Sequence, residues 1–137
     1  MADIEPLDEA YPFEGRVIIS ETDKRGIITF ANRKFCEISG YTKEELIGQP
    51  HSIVRHPDMP KEAFRSMWDT VKQGRIWNGL IKNLRKDGRY YWVETTITPV
   101  TDAEGNIVKY AAARRPAAAT AVEEAEALYA KMRREES

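Results

Sequence analysis

Residues 76–113 read IWNGLIKNLRKDGRYYWVETTITPVTDAEGNIVKYAAA, and this stretch decides the fold. Three runs rich in β-branched and aromatic residues, 76–84, 90–100 and 107–113, are separated by two polar turns. The turns are Arg85-Lys86-Asp87-Gly88 and Asp102-Ala103-Glu104-Gly105-Asn106. Asp-Gly between such runs is a hairpin signal with a physical basis, because glycine accepts the left-handed backbone that a tight turn needs. The spacing therefore predicts three consecutive antiparallel strands. Upstream, Val17-Ile18-Ile19 and Ile27-Ile28-Thr29-Phe30 flank Thr22-Asp23-Lys24-Arg25-Gly26, which reads as a further hairpin.

Helical signals fill the space between the two strand groups. Asn32 is placed to cap a helix through Phe35 and Ile38 that stops at Gly40. Thr42-Lys43-Glu44-Glu45 is a capping box, and Gly48 closes that short helix. Residues 51–59 contain Pro57 and no periodicity, and read as a loop with at most one helical turn. Pro60 opens a longer helix, in which Phe64, Met67, Trp68 and Val71 form one apolar stripe before Gly74 ends it. Pro116 is expected to break the last strand. A final helix is expected from Thr120, with Thr120 and Glu123 as its capping box, acidic residues early and Lys131, Arg133 and Arg134 late. Its Val122, Ala125, Tyr129 and Met132 form a narrow seam, suited either to lying on the protein's own sheet or to starting a coiled coil that passes a signal on.

The order is strand-strand, short helices, three strands, helix. It implies an α+β fold, a five-stranded antiparallel sheet with short helices over one face and a C-terminal amphipathic helix, enclosing a cavity between sheet and helices. The expected organisation is a flexible leader at 1–14, one domain at 15–116 and a connector or signalling helix at 117–137.

Composition narrows the function. The 137 residues carry 21 Lys+Arg and 22 Asp+Glu, a net charge of −1, which argues against a nucleic-acid binder. A single cysteine, Cys36, excludes an intrachain disulfide and a zinc–cysteine cluster. Apolar runs such as Tyr90-Tyr91-Trp92-Val93 are far too short to span a bilayer. The acidic start lacks the basic flank and apolar stretch of a signal peptide. A cytoplasmic location is expected, including the cytoplasmic part of a membrane-associated receptor. No G-x-G occurs, so the dinucleotide-fold and P-loop fingerprints are absent.

Asn32-Arg33-Lys34-Phe35, the stretch Gly40-Tyr41-Thr42-Lys43-Glu44-Glu45-Leu46-Ile47-Gly48 and Arg85-Lys86-Asp87-Gly88 resemble the PAS sensor-domain family over residues 17–115. A narrower match lies in Gly48-Gln49-Pro50-His51-Ser52-Ile53-Val54-Arg55-His56-Pro57-Asp58-Met59-Pro60. With Met67-Trp68, Trp77-Asn78-Gly79, Lys82-Asn83 and Tyr91-Trp92-Val93 it resembles the PAS domain of bacterial aerotaxis receptors, which holds FAD non-covalently and senses redox state. The resemblance implies a flavin nucleotide as partner, a homodimer through the sheet or a flanking helix, and a downstream signalling domain outside this chain. It implies a binding and signalling module and not an enzyme, with no metal site.

The residues supply the parts that a flavin pocket needs. Asn83 is unusual in mid-strand, and one amide offers both donor and acceptor to a flavin's pyrimidine edge. Arg55 has the fork geometry for a pyrophosphate and His56 can add a hydrogen bond. Asp58 either orients one of these or caps the next helix. His51 either faces the cofactor or closes its loop, and Trp77 can stack on a ring. Trp68, on the apolar helix stripe, reads as core. Asn32 is first an N-cap, although it resembles a position that influences FAD binding. Against the LOV photosensors, the blue-light branch of the family, His51 stands where their reactive cysteine lies, Val93 replaces a flavin-facing Asn, and Arg114 replaces their switching Gln. These departures argue against a cysteinyl photoadduct. They lead to the expectation that Arg114 stabilises negative charge on the reduced ring, the other reading being a surface charge at a strand end. Three alternatives remain: FMN or haem in place of FAD, with His51 or His56 as haem ligand; a cofactor-free PAS dimerisation module; and a metallohydrolase built on His51, His56 and Asp58.

Overall fold

The computed structural model describes residues 4–136. Five strands, β1 (Ile18–Thr22), β2 (Ile28–Ala31), β3 (Trp77–Leu84), β4 (Tyr90–Thr101) and β5 (Ile107–Pro116), form one antiparallel sheet in the order β2-β1-β5-β4-β3. Helices α1 (Arg33–Ser39), α2 (Lys43–Leu46) and α3 (Lys61–Lys72), with a 3-10 turn at His51–Val54, stand between β2 and β3 in the chain. A fourth helix, α4 (Ala119–Glu136), follows β5.

Register decides what faces the helices. Ile18, Ser20 and Thr22 of β1 lie opposite Arg114, Ala112 and Tyr110 of β5. Arg114 in turn lies opposite Thr95, and Thr95 opposite Gly79. Side chains alternate along a strand, so these residues, with Ile81, Asn83, Tyr91 and Val93, share the inner face. Ile18, Phe35, Leu46, Val54 and Val93 are buried between this face and the helices.

Local chemistry sets the helix ends. The Asn32 Oδ1 accepts the Phe35 N–H (3.0 Å), and its Nδ2 donates to the Val17 carbonyl (3.0 Å), tying α1 to the entry of β1. The Thr42–Glu45 capping box is complete. The buried Arg85 side chain, in the β3–β4 turn, donates to the carbonyls of Glu37 and Ile38 at the end of α1.

Two expectations need correction, and one left open is decided. Strand β5 does not break before Pro116 but runs through it, carrying Arg114 and Arg115. Pro116 pairs with Val93 of β4 but lies beyond the first residue of β1, so its missing N–H leaves no β1 bond unmade. The Thr120–Glu123 capping box does not form. The Val122 N–H already donates to Ala118 (3.0 Å), because the alanine run 117–119 starts the helix early and puts Thr120 inside its first turn. The seam of α4 lies on the protein's own sheet: Tyr129 stacks on Trp92 (6.2 Å between centroids, 16° between planes) and its hydroxyl donates to the Leu80 carbonyl (2.6 Å).

The expected leader has partners where it is described. Leu7 and Tyr11 donate backbone N–H groups to Gly88 and Tyr90, Tyr90 donates back to Glu9, and the Arg85 guanidinium lies 3.7 Å over the Tyr11 ring. Residues 1–3 of the leader and residue 137 of the connector lie outside the described residues. Among the described residues, no helix is long and apolar enough to cross a membrane.

The docked position of α4 has a measurable cost of disruption. Tyr129→Phe removes one hydrogen bond and is expected to lower the urea-unfolding free energy of the monomer by about 1 kcal/mol. A helix projecting away from its own sheet would leave that free energy unchanged.

Candidate functional site

A cavity of about 220 Å³ lies between the inner face and α3. Its floor is Ile81, Asn83, Thr95, Ile97, Ala112 and Arg114; Phe64, Met67, Trp68 and Val71 of α3 form the roof. The exposed lining residues Arg25, Pro50, Ser52 and Arg55 mark its mouth, between the β1–β2 turn and the 50–55 segment. The turn is held by Asp23, whose Oδ1 accepts the backbone N–H groups of Arg25 and Ile27. Gly26 adopts φ +85°, and a Cβ there would stand 3.1 Å from the Trp68 indole.

Arg114 dominates the interior. It is 2% exposed, and among the described residues no carboxylate pairs with it. Its Nη2 donates to Ser20 Oγ (2.8 Å), its Nη1 to His51 Nε2 (3.0 Å), and its Cζ lies 4.8 Å from the Phe35 ring centroid. Desolvation lowers its pKa to about 10, which keeps it charged at neutral pH. The His51 ring stacks on Phe35 (5.7 Å, 22°) and also contacts Ser20 Oγ (3.2 Å). Burial first, and the Arg114 charge second, push the His51 pKa down to about 3. A guanidinium only donates, so Nε2 accepts and the neutral ring carries its proton on Nδ1.

The 55–56 segment pairs with the edge strand β3. Arg55 bridges to Asn83, and the His56 N–H reaches the Lys82 carbonyl (3.4 Å). This brings Arg55 and Asn83, distant in sequence, to one cavity. Asn83 is 4% exposed and lines the interior. Arg55 is exposed at the mouth, yet its guanidinium lies 3.7 Å over the Phe64 ring, and desolvation there lowers its pKa.

Of the expected site residues, then, His51, Arg55, Asn83 and Arg114 line the cavity. The reading of Arg114 as a surface charge is overturned, because the strand continues past it. His56, Asp58, Trp77 and Asn32 lie outside the lining. His56 is buried, but its Nδ1 accepts the Asp58 N–H (3.0 Å) and its ring meets the edge of Tyr90. Burial, then Lys82, lower its pKa. The Asp58 carboxylate pairs with Lys82 (2.9 Å). Trp77 folds back over Gly79, where any Cβ would meet the indole at 2.4 Å. Asn32 is occupied with capping. With His51 in the cavity and His56 and Asp58 outside it, the metal triad does not assemble, and no such cluster occurs among the described residues. Sequence reasoning missed Ser20 and Thr95, short polar residues at inward strand positions. It read Trp68 as core, where the structure puts it on the cavity wall.

The cavity has polar demands that the protein leaves unmet. Thr95 Oγ1 and Arg114 Nε, on facing residues of β4 and β5, are buried without a hydrogen-bond partner. Buried polar groups are normally satisfied, and an orphan costs about 1–3 kcal/mol. The donor set fits a flat ring system with an electron-rich polar edge. The volume is below the roughly 300–1,000 Å³ of most cofactor sites, enough for part of a flavin nucleotide, with the remainder at the mouth.

Comparison with known proteins agrees with this architecture. The PAS fold family model matches residues 28–114. The chain is 47% identical over 112 residues to the aerotaxis receptor of Escherichia coli, covering 82% of this chain and 22% of the receptor. It is 36% identical over 102 residues to the nitrogen fixation regulatory protein of Klebsiella pneumoniae, covering 74% and 21%. The chain thus spans about a fifth of the length of these relatives. Among solved structures, a PAS domain from Colwellia psychrerythraea superposes with a TM-score of 0.63 at 28% identity, covering 74% of this chain and 86% of that one. The light-state Aureochrome1 LOV photoreceptor superposes with a TM-score of 0.71 at 22% identity, covering 78% and 89%. On the family match and the identity to these relatives, the chain belongs to the PAS-fold family.

Proposed function

We propose that this chain is an FAD-binding PAS domain that senses redox state or oxygen for a bacterial signalling protein of the aerotaxis type. One observation carries the reading: a buried guanidinium with no carboxylate partner among the described residues, beside an orphaned hydroxyl, in a cavity roofed by apolar and aromatic side chains. The likeness to an aerotaxis receptor supports it. Non-covalently bound FAD would supply reversible electron uptake. The chain's own residues would then divide the work. The Asn83 amide orients the ring's polar edge, Arg114 favours added negative charge, Arg55 meets phosphate at the mouth, and neutral His51 leaves Arg114 as the one charge of the interior cluster. His56, Asp58 and Asn32 hold the frame, fixing the loop behind Arg55 and the start of α1. FAD is favoured over FMN by two arginines at the mouth. It is favoured over haem by His51, whose Nε2 is already engaged by Arg114, and by His56, which lies outside the cavity lining with its Nδ1 engaged by the Asp58 N–H.

The organisation proposed is a leader at 1–14, a sensor body at 15–116 and a connector at 117–137 that hands the change to a domain outside this chain. The uncovered outer face around Phe30, which is 41% exposed, is the surface for a homodimer. The role is signalling, not catalysis, in a cytoplasmic setting.

A visible spectrum of the purified protein, with mass identification of the released chromophore, tests the reading. A flavin spectrum with the mass of FAD is expected. A Soret band, or a protein colourless even after incubation with flavins, overturns it. Asn83→Ala and Arg55→Ala are each expected to weaken flavin retention about tenfold, the equivalent of about 1.4 kcal/mol, and full occupancy in both refutes their roles.

Acid supplies a further test. His51 is neutral in the fold with a pKa near 3, whereas the unfolded chain protonates it near 6.5. The unfolded state therefore binds more protons between those values, and stability falls as pH drops from about 6.5 toward 3. His51→Gln removes one titrating group and should flatten that slope by up to about 1.4 kcal/mol per pH unit. His56, also depressed, keeps its share in both proteins. Identical slopes in urea titrations across this range would contradict a desolvated neutral His51.

A further inference from the structure

Asn83 lines the cavity floor, but its amide has two unlike ends, and the end that meets a ligand decides what the floor recognises. Directly opposite Asn83, across the β3–β4 pairing, stands Tyr91. Both residues are almost fully buried, and Tyr91 is outside the cavity lining. Its hydroxyl is buried without a hydrogen-bond partner, and so is that of Tyr41, from the junction of α1 and α2. The Tyr91 ring is held by packing, with Phe13 meeting it edge-on (6.4 Å, 75°). Burial drives the Tyr91 pKa well above the ordinary phenol value, against smaller lowering influences of the Arg114 charge and the Asn83 amide. The hydroxyl therefore keeps its proton. An unmatched buried hydroxyl carries a cost that phenylalanine at the same position would avoid.

We infer that Tyr91 is a positioning residue that turns the Asn83 carbonyl oxygen into the cavity. With a ligand seated, the Tyr91 hydroxyl oxygen accepts an Asn83 Nδ2–H, and Asn83 Oδ1 faces the ligand. Two influences point the same way. Arg114 makes the cavity positive, which draws the negative end of the amide dipole inward. The phenol oxygen, outside the lining, holds the amino end back. The Tyr91 proton is left to point toward Tyr41, the other orphan hydroxyl of this corner, which acts on Tyr91 electrostatically. A chain of such polar groups is stronger closed than its separate bonds. The inference rests on the flavin reading and deepens it. It makes Asn83 an acceptor, so the ring must present an N–H there, and it gives the choice of end to a residue that the cavity itself does not expose.

The test is titration of flavin-stripped protein with riboflavin and with riboflavin methylated at its ring imide nitrogen, read by quenching of flavin fluorescence. The wild type is expected to prefer riboflavin, because the methyl group removes the donor that Asn83 Oδ1 accepts. Tyr91→Phe should weaken riboflavin about fivefold, the worth of one hydrogen bond. It should also narrow the preference, since a freed amide turns to suit either ring. Its urea midpoint without flavin should stay at or above the wild-type value, because the hydroxyl removed has no partner there. In an Asn83→Ala background the Tyr91→Phe change should be silent, the double variant binding riboflavin as Asn83→Ala alone does. Losses that multiply in the double variant, to about fiftyfold, overturn the inference. So do equal wild-type affinities for the two flavins, a Tyr91→Phe protein with wild-type affinity and preference, and one that fails to fold. Each of these leaves the flavin reading intact. Wild-type protein that binds neither flavin sinks that reading and the inference together.

Discussion

A positive charge in the interior with only neutral neighbours is the constraint around which this molecule is arranged. Arg114 sits on the central strand of the sheet, where β1 and β4 flank it on both sides. Ser20 comes from β1, His51 from the 3-10 turn and Phe35 from α1, so three separate elements converge on one guanidinium. Loss of the Ser20 or the His51 bond strands a buried donor, which is costlier than the bond itself. Burying a charge without a counter-ion is unfavourable. Hydrogen bonds to neutral acceptors and an aromatic face reduce the penalty without cancelling the field. The electrostatic potential of the cavity is therefore positive and fixed in direction before any ligand enters.

The other half of the site depends on backbone pairing. An edge strand normally exposes unsatisfied amide and carbonyl groups. Here the 55–56 segment covers part of that edge, and in doing so brings Arg55 to the mouth beside Asn83 on the floor. Met59 and Lys82 close the same seam, with the thioether accepting the Lys82 N–H (3.3 Å) and the Lys82 ammonium on Asp58 (2.9 Å). His56 and Asp58 thus belong to the mounting of the loop, which explains residues of chemical type suited to a ligand whose partners are all within the protein.

The parts of this structure that were legible in sequence are those governed by neighbours in the chain. The Asn32 cap, the Thr42 capping box and the Asp-Gly turn at 87–88 each depend on a few consecutive residues, and each forms as expected. Five strands in an antiparallel sheet followed from where those signals fell. Legibility failed where distant strands decide. Pro116 looks like a strand breaker until the short length of β1 is known. Thr120 looks like a cap until the alanines before it begin the helix. Ser20 and Thr95 carry no signal at all, since a hydroxyl at an inward strand position is recognisable only once its facing residue is identified. Trp68 shares one helical stripe with Phe64, Met67 and Val71, and periodicity cannot distinguish the wall of a cavity from a filled core. Asn83 stood out because an amide in mid-strand is uncommon, and it lies on the cavity floor.

The end of α4 is mechanically coupled to the start of α3. Pro60 provides no side-chain cap for α3, and the first amides of that helix, Lys61 and Glu62, donate instead to the Glu136 carboxylate (3.1 and 2.9 Å), while Arg133 donates to the Asp58 carbonyl. A carboxylate at a helix N-terminus is favoured by the helix dipole as well as by the bonds it accepts. The final turn of the last helix is therefore the missing cap of the helix that roofs the cavity. Tension or torque on that turn would act directly on the start of α3 as well as on the sheet through Tyr129, so the strap at the end of the chain and the roof of the chamber are rigged as two ends of one lever.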